Sequence, residues 1–297
     1  MNDNAIIQID AHHNTGDYRM VASTTNDQML IELWANKPRR GKSKNTTEQY
    51  LRQGLRFIHE VGKPLQALRY DDLSSWQNSI TGAINTRRLR VNAIKSLLAF
   101  AYESGYIRVN PAVMLEPEQP EDTKHRKTLT EAEIITLVNH KGLSKRDRAI
   151  TMTMYSSGCR VTELCNMRWQ DVTPTANGKA EIVIRGKGGK TRKSGISVGA
   201  YASMLTIKPE GATGQDYVFT TANGRMDRTT VNHLFDKLSE VIGRNISPHW
   251  TRHSHITHAL QRGGNAVDVQ EQVGHSSLAV TTSYAHSEKH SCDFLVI

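Results

Sequence analysis

The sequence predicts a mainly α protein in two parts: a helical N-terminal domain over residues 25–115 and an α-rich second domain over 128–284 that carries a small antiparallel β-sheet. Three observations predict it. Apolar residues recur at helical spacing through 25–115. One short β-branched segment, Glu181 to Arg185, is followed by a Gly-rich turn and a second, polar run. From Thr229 onward the helical period returns.

Taken in order, residues 1–24 read as a mobile polar arm. Met29, Leu30, Ile31, Leu33 and Trp34 begin a first amphipathic helix. Thr46-Thr47-Glu48-Gln49 opens a second, with Tyr50, Leu51, Leu55, Phe57 and Ile58 at helical spacing. Asp71 to Ile80 makes a third and Thr86 to Tyr106 a fourth. In the fourth, Leu89, Ile94, Leu97, Leu98 and Ala101 form the apolar stripe, and Arg87, Arg88, Arg90 and Lys95 crowd the N-terminal half. Residues 116–127, with two prolines and mixed charge, form a linker. Thr130-Glu-Ala-Glu133 is a capping box that opens a new helix. Asp147 to Trp169 is a long helix or a helix pair broken near Ser156-Ser157-Gly158. The Glu181–Arg185 strand turns through Gly186-Lys-Gly-Gly189, and its partner runs through Ile196 and Val198. Residues 285–297 form a tail ending in Phe294-Leu-Val-Ile297.

Composition narrows the function. The chain has 297 residues, 37% of them hydrophobic, enough for a core. No run of about 18 apolar residues offers a membrane span, and the first residues carry Asp3, Asp10 and Asp17 rather than a secretory leader. Three cysteines, none in a CxxC, fit a reducing cytosol. The net charge of +9 sits on both large parts: 14 bases against 8 acids over 25–117, and 23 against 18 over 118–297. Basic charge on both parts points to a polyanion held by both, although solvated faces would look the same.

Four pieces of the second part carry chemistry. In Gly158-Cys-Arg160-Val-Thr-Glu163-Leu, Arg160 and Glu163 are three apart on one helix face, which alone reads as a surface ion pair. Arg185 to Lys193 puts five bases and three glycines on a hairpin tip, either a solvated turn or a loop delivering an ammonium to a phosphate or leaving oxygen. His249 and Arg252, at i,i+3, can offer two donors to one phosphate. His253 stands four after His249, as in a helical zinc site, but Trp250 replaces the glutamate such sites carry. The fourth piece sets Gly274-His275 nine residues ahead of Tyr284.

In this order the pieces GCRVTEL, RGKGGKTR, HWTRHSHITHAL and VGHSSLAVTTSYAH resemble the tyrosine recombinase, or phage integrase, family, Xer-like and in two domains. The resemblance covers roughly residues 25–286, with YESGYIRVNPA closing a helical core-binding domain over 25–115 and the catalytic domain over 128–284. It implies that Arg160 and Arg252 hold the scissile phosphate, Tyr284 attacks it, Lys187 is the general acid, His249 and His275 bind phosphate and handle protons, and Glu163 steadies the site. Ile196 and Val198 arrive about two residues later than the family's strand, so Lys190 stays the alternative to Lys187. DNA contacts are expected from Arg87, Arg88, Arg90 and Lys95, from Lys42 and Lys44, from Lys190 and Arg192, and from the linker bases Lys124, Arg126 and Lys127.

The chemistry is self-consistent. Two guanidiniums can bind the non-bridging oxygens of a phosphodiester and take up charge as the phosphorane forms, the role a divalent metal has in many nucleases. A 3′-phosphotyrosyl link conserves the bond energy, so neither ATP nor any other cofactor is implied, and no metal. The expected partners are double-stranded DNA and further copies of the chain, a homotetramer on two DNA sites, with the C-terminal tail docking on a neighbouring protomer and no membrane. A type IB topoisomerase shares this chemistry, and a DNA-binding regulator with a silent site is the rival outside enzymes.

Overall fold

The structure is a computed structural model that describes residues 25–38, 44–119, 127–186, 189, 191–274 and 281–282. The chain divides into two compact units, 1–121 and 122–297. Among the described residues no helix is long and apolar enough to cross a membrane.

The first unit is built on four helices: α1 (Thr25–Asn36), α2 (Lys44–Val61), α3 (Tyr70–Ser79) and α4 (Ile84–Glu103). Its core joins Leu30, Ile31 and Trp34 of α1 to Phe57 of α2, Leu73 and Trp76 of α3, and Ile94, Leu97 and Leu98 of α4. Phe57 and Trp76 meet edge to face at 4.8 Å. Two parts of the expected stripes lie outside. Met29 and Leu33 are exposed, because a 3.6-residue period with Leu30, Ile31 and Trp34 inward turns them to solvent. Leu89 is exposed for the same reason: the inward face of α4 runs Arg90, Val91, Ile94, Leu97, Leu98, Ala101.

Arg90 is the larger correction. Expected to face DNA, it is 5% exposed and pairs with the Glu60 carboxylate. Glu60 also accepts from Trp76 Nε1 at 2.8 Å and from Arg56 Nε at 2.7 Å. Burial pushes the Glu60 carboxyl up, but the bonds from Trp76 and Arg56 and the charge of Arg90 outweigh it and hold its pKa below the usual value. Two other members of the cluster, Arg87 and Lys95, are also engaged. Arg87 donates to both oxygens of Glu118 and to Gly82 O, and Lys95 Nζ to Leu115 O. Lys42, Lys124 and Arg126 lie outside the described residues, and of Lys44 only its place in α2 is described.

The second unit opens as the capping box requires. Thr130 Oγ1 accepts from Glu133 N at 3.1 Å, and the Glu133 carboxylate accepts from Thr130 N at 2.7 Å. Helix α5 (Glu131–Asn139) follows, then α6 (Lys145–Ser157), which Gly158 ends in the left-handed region at φ 60°. The expected break is thus real, and short α7 (Val161–Cys165) lies beyond it. Strands β1 (Val172–Pro174), β2 (Ala180–Arg185) and β3 (Thr191–Ile196) form one antiparallel sheet in that order. The register pairs Ala180 with Ile196, Ile182 with Ser194 and Ile184 with Arg192. Strand β1 was not foreseen, and β3 stops at Ile196, so that Val198 opens helix α8 (Val198–Leu205) instead of continuing a strand. A two-residue hairpin, β4 (Thr220–Thr221) and β5 (Gly224–Arg225), precedes α9 (Arg228–Ile242), α10 (Pro248–Gln261) and α11 (Ala266–Val273). The core gathers Leu129, Leu137, Met154, Leu164, Ile182, Phe219 and Phe235, and a smaller cluster of Ile256, Val269 and Val273 fixes α11 to α10.

The Arg90–Glu60 pair gives a stability test. Glu60→Ala strands a buried guanidinium and is expected to cost about 2–3 kcal/mol, below the roughly 3–5 kcal/mol of a fully enclosed pair because Glu60 keeps some solvent. Arg90→Met is expected to cost less, since Glu60 keeps Trp76 and Arg56, and the double Met variant should come near the parent. Urea unfolding followed by tryptophan fluorescence measures all three.

Candidate active site: arginines gathered at a helix end

Three of the sequence-predicted arginines, Arg160, Arg192 and Arg252, meet at the C-terminus of α11. Gly274 ends that helix at φ 69°, with its N–H on Gln270 O at 2.8 Å. The following carbonyls, which a helix leaves without partners of its own, each receive a different arginine. Gln272 O accepts from Arg192 Nε at 2.8 Å, Val273 O from Arg252 Nη2 at 2.6 Å, and Gly274 O from Arg160 Nη2 at 3.2 Å.

Arg160 caps α7, so its backbone N–H and its side chain both meet Glu163 one turn on. The N–H donates to Glu163 Oε2 at 2.7 Å and Nη1 to Oε1 at 3.0 Å. The pair is more than the surface bridge the spacing alone allows. Glu163 is buried and also takes a two-pronged bond from Arg192, Nη1 to Oε1 at 2.8 Å and Nη2 to Oε2 at 2.7 Å. Burial raises the Glu163 carboxyl, but the Arg192 bonds, the Arg160 N–H and both charges bring its pKa below the usual value.

Arg252 lies on α10, 5% exposed, with Nη1 on Gly158 O at 2.5 Å. Burial first, then the charge of Arg160, lowers its pKa to about 10, so it is still a cation at pH 7. Arg160 keeps 41% of its side chain open. Three guanidiniums against one carboxylate leave a net positive site with one guanidinium facing solvent.

His249, in the first turn of α10, is exposed. Partial loss of solvent, then the charges of Arg252, Arg228 and Arg160, keep its pKa below 6.5. It is therefore a neutral imidazole at pH 7. Arg228, whose charge reaches His249, belongs to none of the four motifs. His255, next along the helix, is a packing residue: Nδ1 bonds Tyr155 O at 2.9 Å, and burial lowers its pKa to about 4.

Arg192 departs from the DNA-contact role expected of it. All three of its nitrogens are engaged within the protein and its side chain is 13% exposed. The strand register explains this, because Arg192 shares the inward face of β3 with Ser194 and Ile196. Lys187, Lys190, His275 and Tyr284 lie outside the described residues.

A model of the phage integrase family matches residues 127–291. The chain belongs to that family. Among its relatives, tyrosine recombinase XerA of Pyrococcus horikoshii is 30% identical over 264 residues, 87% of this chain and 89% of the relative. Tyrosine recombinase XerC of Xanthomonas campestris pv. campestris is 32% identical over 203 residues, 66% of this chain, and the match spans 62% of that relative's length. The fold is that of solved integrase-family structures. XerH site-specific recombinase bound to palindromic difH substrate matches with a TM-score of 0.71 at 20% identity, covering 84% of this chain and 78% of that one. A lambda integrase dimer bound to a COC′ core site gives 0.69 at 16% identity, covering 87% and 94%.

The electrostatics of His249 can be checked directly. Its imidazole is expected to titrate below 6.5, and Arg252→Gln should raise its pKa more than Arg228→Gln does. Histidine ring signals followed by NMR across pH 4–8 (about the range over which an imidazole titrates) give both values.

Proposed function

We propose that this chain is a site-specific DNA recombinase that cleaves and rejoins strands by transesterification, through a 3′-phosphotyrosyl intermediate and without ATP or metal. The observation that carries this reading is the convergence of Arg160 and Arg252 on the end of α11, with His249 within reach of both charges, in a chain that continues to His275 and Tyr284. Arg160 and Arg252 bind the non-bridging oxygens and stabilise the phosphorane. Tyr284 is the nucleophile, and His249 and His275 bind phosphate and relay protons. Lys187 protonates the leaving 5′-oxygen, with Lys190 its alternative. Glu163 orients Arg160. The relatives named XerA and XerC, and the DNA-bound XerH and lambda integrase neighbours, support DNA as the substrate.

Exchange between two duplexes cuts four strands, so four copies act on two DNA sites. The apolar run Phe294-Leu-Val-Ile297 docks on a neighbouring copy. The protein works in the cytoplasm, on the nucleoid when bound to DNA. In the N-terminal unit Arg88 is the base of its cluster left to meet DNA, with Arg87 once it leaves Glu118.

Nicked duplexes of random sequence, incubated with the protein and recovered as covalent adducts, identify the target site. Tyr284→Phe is expected to bind such a duplex normally and form no adduct. Arg252→Ala should slow cleavage by about 100-fold or more with a far smaller loss of affinity. Sulfur at the bridging 5′ position should rescue Lys187→Ala but not Arg160→Ala, since a thiolate leaves without a proton. Plasmid relaxation without exchange between two sites would mark a topoisomerase instead.

A further inference from the structure

We infer that Arg192 is a positioning residue of the active site, not a DNA contact: it clamps Glu163 so that Arg160 stays aimed outward, and it ties strand β3 to the end of α11. The inference deepens the recombinase reading and rests on it for the identity of the reaction.

Four observations converge on it. First, the Arg192 fork covers both oxygens of Glu163, while Arg160 reaches only one of them with its side chain. Second, the remaining Arg192 nitrogen holds Gln272 O, next to the carbonyls that hold Arg252 and Arg160. Third, the same two elements are bonded again two residues along β3, Gln272 Nε2 donating to Ser194 Oγ at 3.1 Å, and Ser194 Oγ to Ser157 O at 3.1 Å. Fourth, Gly274 leaves room for the guanidinium: a Cβ there would lie 3.1 Å from Arg192 Cδ and 3.3 Å from Nε and Nη1.

Charge explains what the clamp does. A buried carboxylate with one cation for company draws that cation onto itself. With Arg192 present, Glu163 is satisfied by a fork that never leaves, and the Arg160 guanidinium keeps hydrogens free for an incoming phosphate oxygen. Without Arg192, Arg160 is the side chain left hydrogen-bonded to Glu163 among the described residues, and it folds back onto the carboxylate. Lysine cannot replace it, because one ammonium cannot span two carboxylate oxygens and a carbonyl in a planar fork.

The test uses Arg192→Met, which keeps the apolar stem, and Arg192→Lys, which keeps the charge. Affinity for a generic duplex is measured across salt concentration. In an Arg160→Ala background, where the contact that the clamp aims is already gone, adding either variant is expected to leave the slope unchanged, and a further reduction by about 0.9, one phosphate contact, would overturn the inference. Inorganic phosphate is then titrated against the His249 ring signal. Arg192→Met should bind phosphate at least tenfold more weakly and Arg192→Lys should lie between, whereas parent-like phosphate binding in both would overturn it. On the trapped duplex, Arg192→Met should cleave about 100-fold more slowly at saturating DNA, as for a misplacement of about 1 Å, with Arg192→Lys again between. Parent-like cleavage would overturn it. Should Arg192→Met not fold, Arg192→Lys alone decides on all three readouts, and full parent behaviour from it would overturn the inference. If the parent protein cleaves no DNA, the recombinase reading fails, while the salt and phosphate measurements still decide the role of Arg192.

Discussion

The terminal carbonyls of α11 are the feature on which the site depends. A helix leaves its last carbonyls without partners, and a buried guanidinium is costly unless its hydrogens are bonded. In this fold each deficit is met by the other. Gln272, Val273 and Gly274 supply three acceptors in a row, and Arg192, Arg252 and Arg160 arrive from a strand, a helix and a helix cap to fill them. The negative end of the helix dipole adds to each pairing. Three chain segments far apart in sequence are thereby brought to one place, and their positions relative to one another are set by the spacing of successive carbonyls.

That arrangement has its own requirements. Val269 and Val273 must be buried against Ile256 for α11 to sit where it does. Gly274 must take a left-handed conformation to end the helix and leave space for Arg192. Gly158 is needed for a similar reason, since it turns α6 toward α7 at φ 60°, and a Cβ there would meet His255 Cδ2 at 2.7 Å. Its carbonyl then receives Arg252. Each of these glycines both ends a helix and clears a path for a charged or aromatic side chain.

Much of this was legible in the sequence, and the limits have a physical cause. The pairing of Arg160 with Glu163 could be read because i,i+3 neighbours meet whatever the rest of the fold does, whereas the roles of Arg160, His249 and Arg252 come only from the resemblance of the four pieces to the family. The Thr130 capping box and the Gly158 break were legible for the same local reason. Arg192 was not, because a strand residue faces in or out according to its register with Ile184, and a shift of one residue reverses every side chain. Arg90 misled because a cluster of bases on a helix says nothing about which member lies on the buried side; only the partners Glu60 and Trp76, from two other helices, decide that. Val198 read as strand because a β-branched residue also serves at a helix start, and Ser197, accepting from Ala200 N at 3.3 Å, caps that helix.

The protonation states fit a reaction that must run in both directions. In the proposed reaction cleavage and rejoining each pass through a phosphorane, so groups that change charge during one step must be restored before the other. The guanidiniums need no such cycle: Arg252 stays charged even with its pKa lowered to about 10. Glu163, held below the usual carboxylate range, stays anionic as well. On the proposed reading these fixed charges would bind the phosphate identically in either direction, and proton traffic would fall to His249, His275 and Lys187, of which His249 has its pKa held down by its surroundings. In that reading a phosphodiester anion or a developing phosphorane beside His249 would oppose the arginine charges that depress its pKa. The same imidazole thus gains basicity as negative charge builds up at the phosphorus and loses it as the charge disperses, which is the behaviour a reversible proton relay requires.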